Sequence, residues 1–240
     1  MTIPVLYEDN HVLAVIKPPG VPSQEDESRD PDMLTLLKQD LKLRHNKPGN
    51  VFLGLLHRLD RPVGGAMIFA KTSKAASRMS ESIRSRSFDK TYICVLQGIP
   101  RASGGRLVHY LRKDAKRNVV AVFDRPAPDA KEAVLSYSVI ARDSFRSLAA
   151  VKLHTGRSHQ IRAQMSHIGT PLAGDLKYGA AKLEGFSDIA LWSASLIIPH
   201  PVTKEAIRVR SLPEPTGPWS GWTQQQLDAA CSHFELGLES

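Results

Sequence analysis

"VFLGLLHRLDRPVGGAMIFAKT", residues 51–72, holds two short apolar runs, Val51 to Leu56 and Ala66 to Ala70, joined by a polar link around Asp60. Each run has the length of a strand. The Asp60 segment therefore joins two expected strands. A lone carboxylate in such a link is either a turn former bonded to nearby backbone or a reagent. Arg58 and Arg61 stand on either side of Asp60. A guanidinium beside a carboxylate keeps it ionised and directed, the state in which it acts as nucleophile or general base.

Working outward, "PVLYEDNHVLAVIKPPG" predicts a hairpin: a short strand, an Asp9-Asn10 turn, a strand from His11 to Ile16, then a Pro-Pro-Gly stop. Pro31 and Asp32 start a helix whose Met33, Leu34, Leu36, Leu37 and Leu41 form an apolar stripe, with loop resuming at "KLRHNKPGN" from Lys42. Thr72 or Ser73 caps a helix to about Arg86, with Ala76, Met79 and Ile83 on one face. Strands are expected at Lys90 to Gly98, Val134 to Ala141, Ser147 to His154, and in "IALWSASLIIPHP" and "AIRVRSLP". Gly104 to Ala133 is a basic stretch with weak alternation, read as an excursion or extended hairpin. Ser158 is the expected cap of a helix from His159 to about Ile168. Many strands with few helices, several too tightly linked for crossovers, predict an α+β domain with a largely antiparallel sheet over residues 1–212. Residues 213–240 form a tail, a Pro/Gly turn region and a short helix, expected to pack on the body.

The chain carries 32 Lys and Arg against 24 Asp and Glu, a formal charge of +8 that favours a polyanionic partner, nucleic acid before membrane surface. Much of the excess lies in Arg112 to Arg125 and Lys152 to Arg162. No apolar run approaches the roughly 18 residues of a membrane span, and no leader pattern precedes "MTIPVLYEDN", so a soluble cytoplasmic protein is expected.

Cys94 and Cys231 stand far apart without metal spacing. His154, His159 and His167 carry no zinc pattern, since His159 and His167 are two helical turns apart with no acid in register. No phosphate-binding loop, dinucleotide fingerprint or nucleophile elbow occurs. The expectation is therefore an enzyme without metal or cofactor. In "KLHTGRSHQIRAQMSHIG" a Gly-Arg-Ser turn running into a helix presents backbone N–H groups, and Arg157 beside them suits a phosphate. Arg162, placed near Ile161 and Met165, needs a carboxylate if buried, and Asp60 is the expected partner.

These segments together resemble the RluA-type pseudouridine synthases. "HRLDRPVGGAMIFAKT" resembles their H-R-L-D-x-x-T-S-G segment, and "GRSHQIRAQMSHIGTPLAGDLKYG" their G-R-[ST]-H-Q-I-R segment with its trailing P-I-x-G-D-x-x-Y. "YEDNHVLAVIKPPGVPSQ", with its strand ending in Lys17-Pro18, looks like their first motif, and "DKTYICVLQG" like the strand that carries their active-site tyrosine. Order and approximate spacing agree from about residue 5 to residue 211.

The resemblance implies the pseudouridine synthase fold, a mixed, mostly antiparallel central sheet with flanking helices and loops. It implies isomerisation of uridine in ribosomal or transfer RNA, after the base is flipped out, by a monomer needing no cofactor. Asp60 is then the catalytic aspartate, Tyr92 the residue that stacks on uracil, and Arg162 the partner that holds Asp60 ionised. Arg58 enters the RNA stack as the base leaves, and Lys17, Arg157, His159 and Gln160 complete the substrate side. Two departures stand out: Val63-Gly64-Gly65 replaces Thr-Ser-Gly, and no S4-like module is expected in front of the first strand. The rival from another class is an inert RNA-binding protein on the same scaffold. A glycoside hydrolase would require a second carboxylate, for which Asp175 and Glu184 are the candidates.

Overall fold

The computed structural model describes residues 2–182 and 188–235. In chain order the elements are β1 (Val5–Glu8), β2 (Val12–Lys17), α1 (Met33–Arg44), β3 (Gly54–Leu55), β4 (Gly64–Ala70) and α2 (Ser73–Arg84). These are followed by β5 (Asp89–Gln97), β6 (Gly104–Asp114), β7 (Val119–Phe123), β8 (Lys131–Arg142), β9 (Arg146–Leu153) and α3 (Gln160–His167). The last are β10 (Leu191–Pro199), β11 (Ala206–Arg210) and α4 (Gln224–Ser232). No helix among the described residues is long and apolar enough to cross a membrane. The chain divides into two compact units, Met1–Asp89 with Ser193–Ser211, and Lys90–Trp192 with Leu212–Ser240.

In the first unit β2 pairs antiparallel with β1 and β4, from Val12 opposite Ala70 to Lys17 opposite Gly65. Beyond β4 lie β10 and then β11. One sheet face presents Val12, Ala14, Ala66, Ile68, Ala70, Leu196 and Ile198 to Ala75 and Met79 of α2. Burying that aliphatic surface is the main force holding α2 in place. The Asp60 link does join two antiparallel strands, but β3 is only Gly54–Leu55, shorter than the expected run from Val51. Because β2 and β10 take the edges of β4, β3 has only Phe69 and Ala70 to pair with.

Both helices of this unit start where local chemistry places them. Asp32 accepts from the amides of Leu34 and Thr35 at 2.9 and 3.2 Å, and Thr72 from that of Ala75 at 3.1 Å. The first helix does not give way to loop at Lys42; it continues through Arg44, which is held by Asp40 one turn back and by Glu8 of β1. The second ends at Arg84, two residues before the expected Arg86.

In the second unit the strands run β5-β9-β8-β6-β7, each antiparallel to its neighbour. The basic stretch of Gly104 to Ala133 resolves into the β6–β7 hairpin and the start of β8. Helix α3 packs Ala163 against Leu111, Val120 and Ala133, while α4 contacts β8 and β9. Ser158 is not the cap expected of it. The cap position of α3 is His159, in left-handed backbone with φ 49° and no side-chain cap bond, and the turn is held by Gln160 instead.

Candidate active site

Asp60 lies half-buried on the link between β3 and β4, and hydrogen bonds fix the backbone on both sides of it. The buried Ser23 hydroxyl donates to the Leu59 carbonyl at 2.8 Å and accepts from the Leu59 amide at 3.1 Å. On the other side the Arg61 carbonyl accepts from the Gly20 amide at 2.8 Å and from the Lys17 ammonium at 3.0 Å. The Val63 amide closes the turn onto the Asp60 carbonyl at 2.9 Å. A carboxylate on so constrained a backbone has little freedom to lose when it engages a substrate.

Lys17 differs from its expected place on the RNA side. It is fully buried, with Nζ donating to the carbonyls of Pro18, Val21 and Arg61. Burial pushes its pKa down to about 7, while the Asp60 charge pulls it back up and that of Arg61 opposes the ammonium. The first unit thus places a buried cation within electrostatic reach of Asp60. Arg61 does not flank Asp60 as the sequence suggested. Its exposed guanidinium turns to the loop after β2, donating to the Gly20 carbonyl at 3.0 Å, the Ser28 hydroxyl at 2.9 Å and Asp30. Arg58 is exposed.

The Thr-Ser-Gly departure has a structural counterpart. Val63 and Gly64 are buried, and Gly65 has φ +116°, where a Cβ would overlap the backbone of Ser193. Glycine at 65 is demanded by both conformation and space.

In the second unit Gln160 organises the Gly-Arg-Ser-His turn. Its Oε1 accepts from the Thr155 hydroxyl at 2.8 Å and the Arg157 amide at 3.0 Å, and its Nε2 donates to the Val134 carbonyl at 3.1 Å. One of the backbone N–H groups expected to cradle phosphate is therefore used internally. The exposed Arg157 donates Nε to the Glu132 carbonyl at 2.9 Å. His159 meets the Tyr178 hydroxyl through Nδ1 at 2.8 Å; that hydroxyl also accepts from the Val120 amide at 2.9 Å.

Arg162 is 4% exposed, and its fork grips Asp175, Nε to Oδ2 at 2.7 Å and Nη2 to Oδ1 at 2.9 Å. The Tyr178 ring lies 5.2 Å from its guanidinium carbon. Asp175 is completely buried, so this carboxylate is a positioning partner of Arg162 and a poor candidate for a hydrolase's second acid. Glu184 lies outside the described residues. Tyr92 is buried in β5 opposite Val151 of β9. Ser23 and Tyr178 are supporting residues that sequence reasoning did not assign, and Asp175 is one that it named only as a hydrolase's candidate acid. Asp175 and Tyr178 stand in the trailing "PLAGDLKYG" segment, whereas Ser23 carries no local signal.

A sequence model of the family described as RNA pseudouridylate synthase matches residues 11–167. Ribosomal large subunit pseudouridine synthase D of Xanthomonas campestris is 34% identical over 226 residues, 88% of this chain and 66% of that protein. The tRNA pseudouridine synthase C of Haemophilus influenzae is 30% identical over 223 residues, 85% of this chain and 90% of that one. The chain thus spans about two thirds of the length of the first relative and most of the second. Among solved structures, human RNA pseudouridylate synthase domain containing 4 shares the fold, with a TM-score of 0.74 at 20% identity over 96% of this chain and 92% of that one. Matched over more than half its length, the chain belongs to the RNA pseudouridylate synthase family, isomerases that act on RNA.

Proposed function

We propose that this protein converts uridine in structured ribosomal or transfer RNA to pseudouridine, with Asp60 as the catalytic carboxylate. The observation that carries the proposal is the fixed backbone around Asp60, held by Ser23 on one side and by Lys17 and Gly20 on the other. That stretch falls within the family match. In the reaction the N1–C1′ bond breaks, uracil rotates in place, C5 bonds to C1′, the C5 proton leaves to solvent or a base, and N1 takes up a proton, so that the product is an isomer of the substrate. No electrons are gained or lost overall, so one acid and a set of cations suffice. Asp60 acts either at C1′ as nucleophile or at C2′ as base.

The other residues support the same reading. Tyr92 stacks on the uracil, Arg162 is the cationic support of the aspartate, and the exposed Arg58 fills the RNA stack vacated by the flipped base. Extrusion costs a few kcal/mol, offset by pocket contacts. Arg157 and the β6–β7 hairpin supply phosphate contacts that fix register without reading sequence. His159 and Gln160 hold the turn that presents Arg157. Residues 1–212 form the catalytic body and 213–240 a tail upon it, and the protein works as a monomer in the cytoplasm, where its RNA is.

The test is tritium release from RNA labelled at uracil C5, on separate ribosomal and transfer RNA fractions, with wild type and Asp60→Asn. Release by wild type alone is expected, and the responding fraction names the substrate. Equal RNA binding by both proteins with no release from either would leave the inert RNA-binding reading in its place.

A further inference from the structure

Strand β6, the residue after β7 and the C-terminal end of α3 bring His109, Asp124 and His167 together. Nε2 of His167 lies 2.8 Å from Asp124 Oδ1, and Nε2 of His109 lies 3.8 Å from the same oxygen. All three ligand-type atoms fall within 4.8 Å of one another. The two imidazoles meet edge to face with centroids 5.0 Å apart. We infer that His109, Asp124 and His167 bind one divalent transition cation of the zinc type.

The donor chemistry selects the cation. Two imidazole nitrogens and one carboxylate oxygen suit zinc, cobalt or nickel, whereas calcium and magnesium take oxygen ligands almost alone. Bonds of about 2.0–2.1 Å in a tetrahedral site set the ligand atoms about 3.3 Å apart, between the two spacings observed here. The third spacing, between the two imidazoles, lies within 4.8 Å, so the adjustment falls on both Asp124 and His167, which are exposed and can move, while His109 is buried and fixed. Exposure of Asp124 and His167 leaves room for water in the remaining coordination position.

A second observation concerns the partner of His109. Gln164, fully buried, sets its amide nitrogen 3.0 Å from His109 Nδ1, and its Oε1 has no hydrogen-bond partner. Turning that amide end for end places Oε1 against an Nδ1–H and leaves Nε2 of His109 open as a ligand. The resulting hydrogen bond is the one metal-bound histidines usually make through their other nitrogen. The turn replaces the bond from Gln164 Nε2 to the Ala133 carbonyl with two facing oxygens, a cost that cation binding must offset. Burial and the neighbouring His167 lower the pKa of His109, which favours the neutral ligand form; the charge of Arg125, felt at Asp124, works against the cation. Once bound, the cation clips the β6–β7 hairpin to α3, the helix that carries Arg162.

The experiment titrates cobalt and zinc into tag-free, chelator-treated protein, read by cobalt visible absorption and by heat. Wild type, Asp124→Asn, His167→Ala and the control His233→Ala are compared; Asp124→Asn alters an exposed side chain and should not disturb folding. Saturable uptake of a single equivalent is expected for wild type and His233→Ala, weakened at least about tenfold in the other two. No saturable uptake by wild type, or equal uptake by all four proteins, would overturn the site.

Discussion

The ammonium of Lys17 donates to the carbonyl of Arg61 at 3.0 Å, which ties a fully buried cation to the residue that follows Asp60. With a folded-state pKa of about 7 against an ordinary 10.5, Lys17 binds its proton less tightly in the folded protein than in the unfolded chain. Between those values the unfolded state holds more protons, so stability rises with pH, by up to about 1.4 kcal/mol per pH unit. Below about pH 7 both states are protonated and the gain is absent. Urea unfolding of wild type and Lys17→Met across this window should show wild type gaining on the variant as pH rises. A difference that stays flat would mean that the three carbonyls fully compensate the burial of the charge.

Arg162 and Asp175 form a buried, bidentate pair, and removing either side chain's charge breaks two charge-assisted hydrogen bonds in a low-dielectric site. Asp175→Asn is expected to lower stability by about 3–5 kcal/mol, and Arg162→Met by a similar amount. The double variant Arg162→Met with Asp175→Leu removes both charges and should lose less than the sum of the singles. Additive losses in a double-mutant cycle would show that the two side chains do not act as a pair.

How far the sequence carried depended on the range of the interaction involved. The caps at Asp32 and Thr72 act within three residues, and both helices begin where their side chains dictate. The two apolar runs on either side of Asp60 likewise marked strands by their length alone, although β3 proved shorter than its run. Ser158 misled because Gln160 reaches back to Thr155 and the Arg157 amide, a task the cap rule gives to a short hydroxyl side chain. Arg61 stands next to Asp60 in sequence, but the acids that attract it lie some 30 residues earlier. The burial of Lys17 follows from three carbonyls converging at a strand end, which no periodicity reveals. Asp175 was legible as part of a motif, whereas its grip on Arg162 comes only with the fold.

Gly65 is the position where the link around Asp60 tolerates least. Its φ of +116° strains any L side chain, and a Cβ there overlaps the backbone of Ser193. Gly65→Ala is expected to cost about 2–4 kcal/mol, since neither neighbour can move without displacing a strand. Gly49→Ala, with nothing within 4 Å and no positive φ, should stay within about 0.5 kcal/mol of wild type. Thermal or urea unfolding of the two variants side by side decides the matter. Equal stabilities would show that the strand next to Ser193 yields easily.

The β6–β7 hairpin carries Lys113, Lys116 and Arg117 exposed around its tip, while Arg112 lies over the Phe123 ring at 4.9 Å and serves the hairpin itself. Contacts to phosphate release counterions, so each one lost makes binding both weaker and less sensitive to salt. Reversing Lys113, Lys116 and Arg117 to glutamate should weaken RNA binding at least about tenfold at low salt, with the slope of log affinity against log salt falling by about 2–3. The three side chains make no packing contribution to the buried face, so far-UV circular dichroism and melting temperature should match wild type. Unchanged affinity and slope would make the hairpin an ordinary surface loop and move the phosphate contacts to Arg157 and its neighbours.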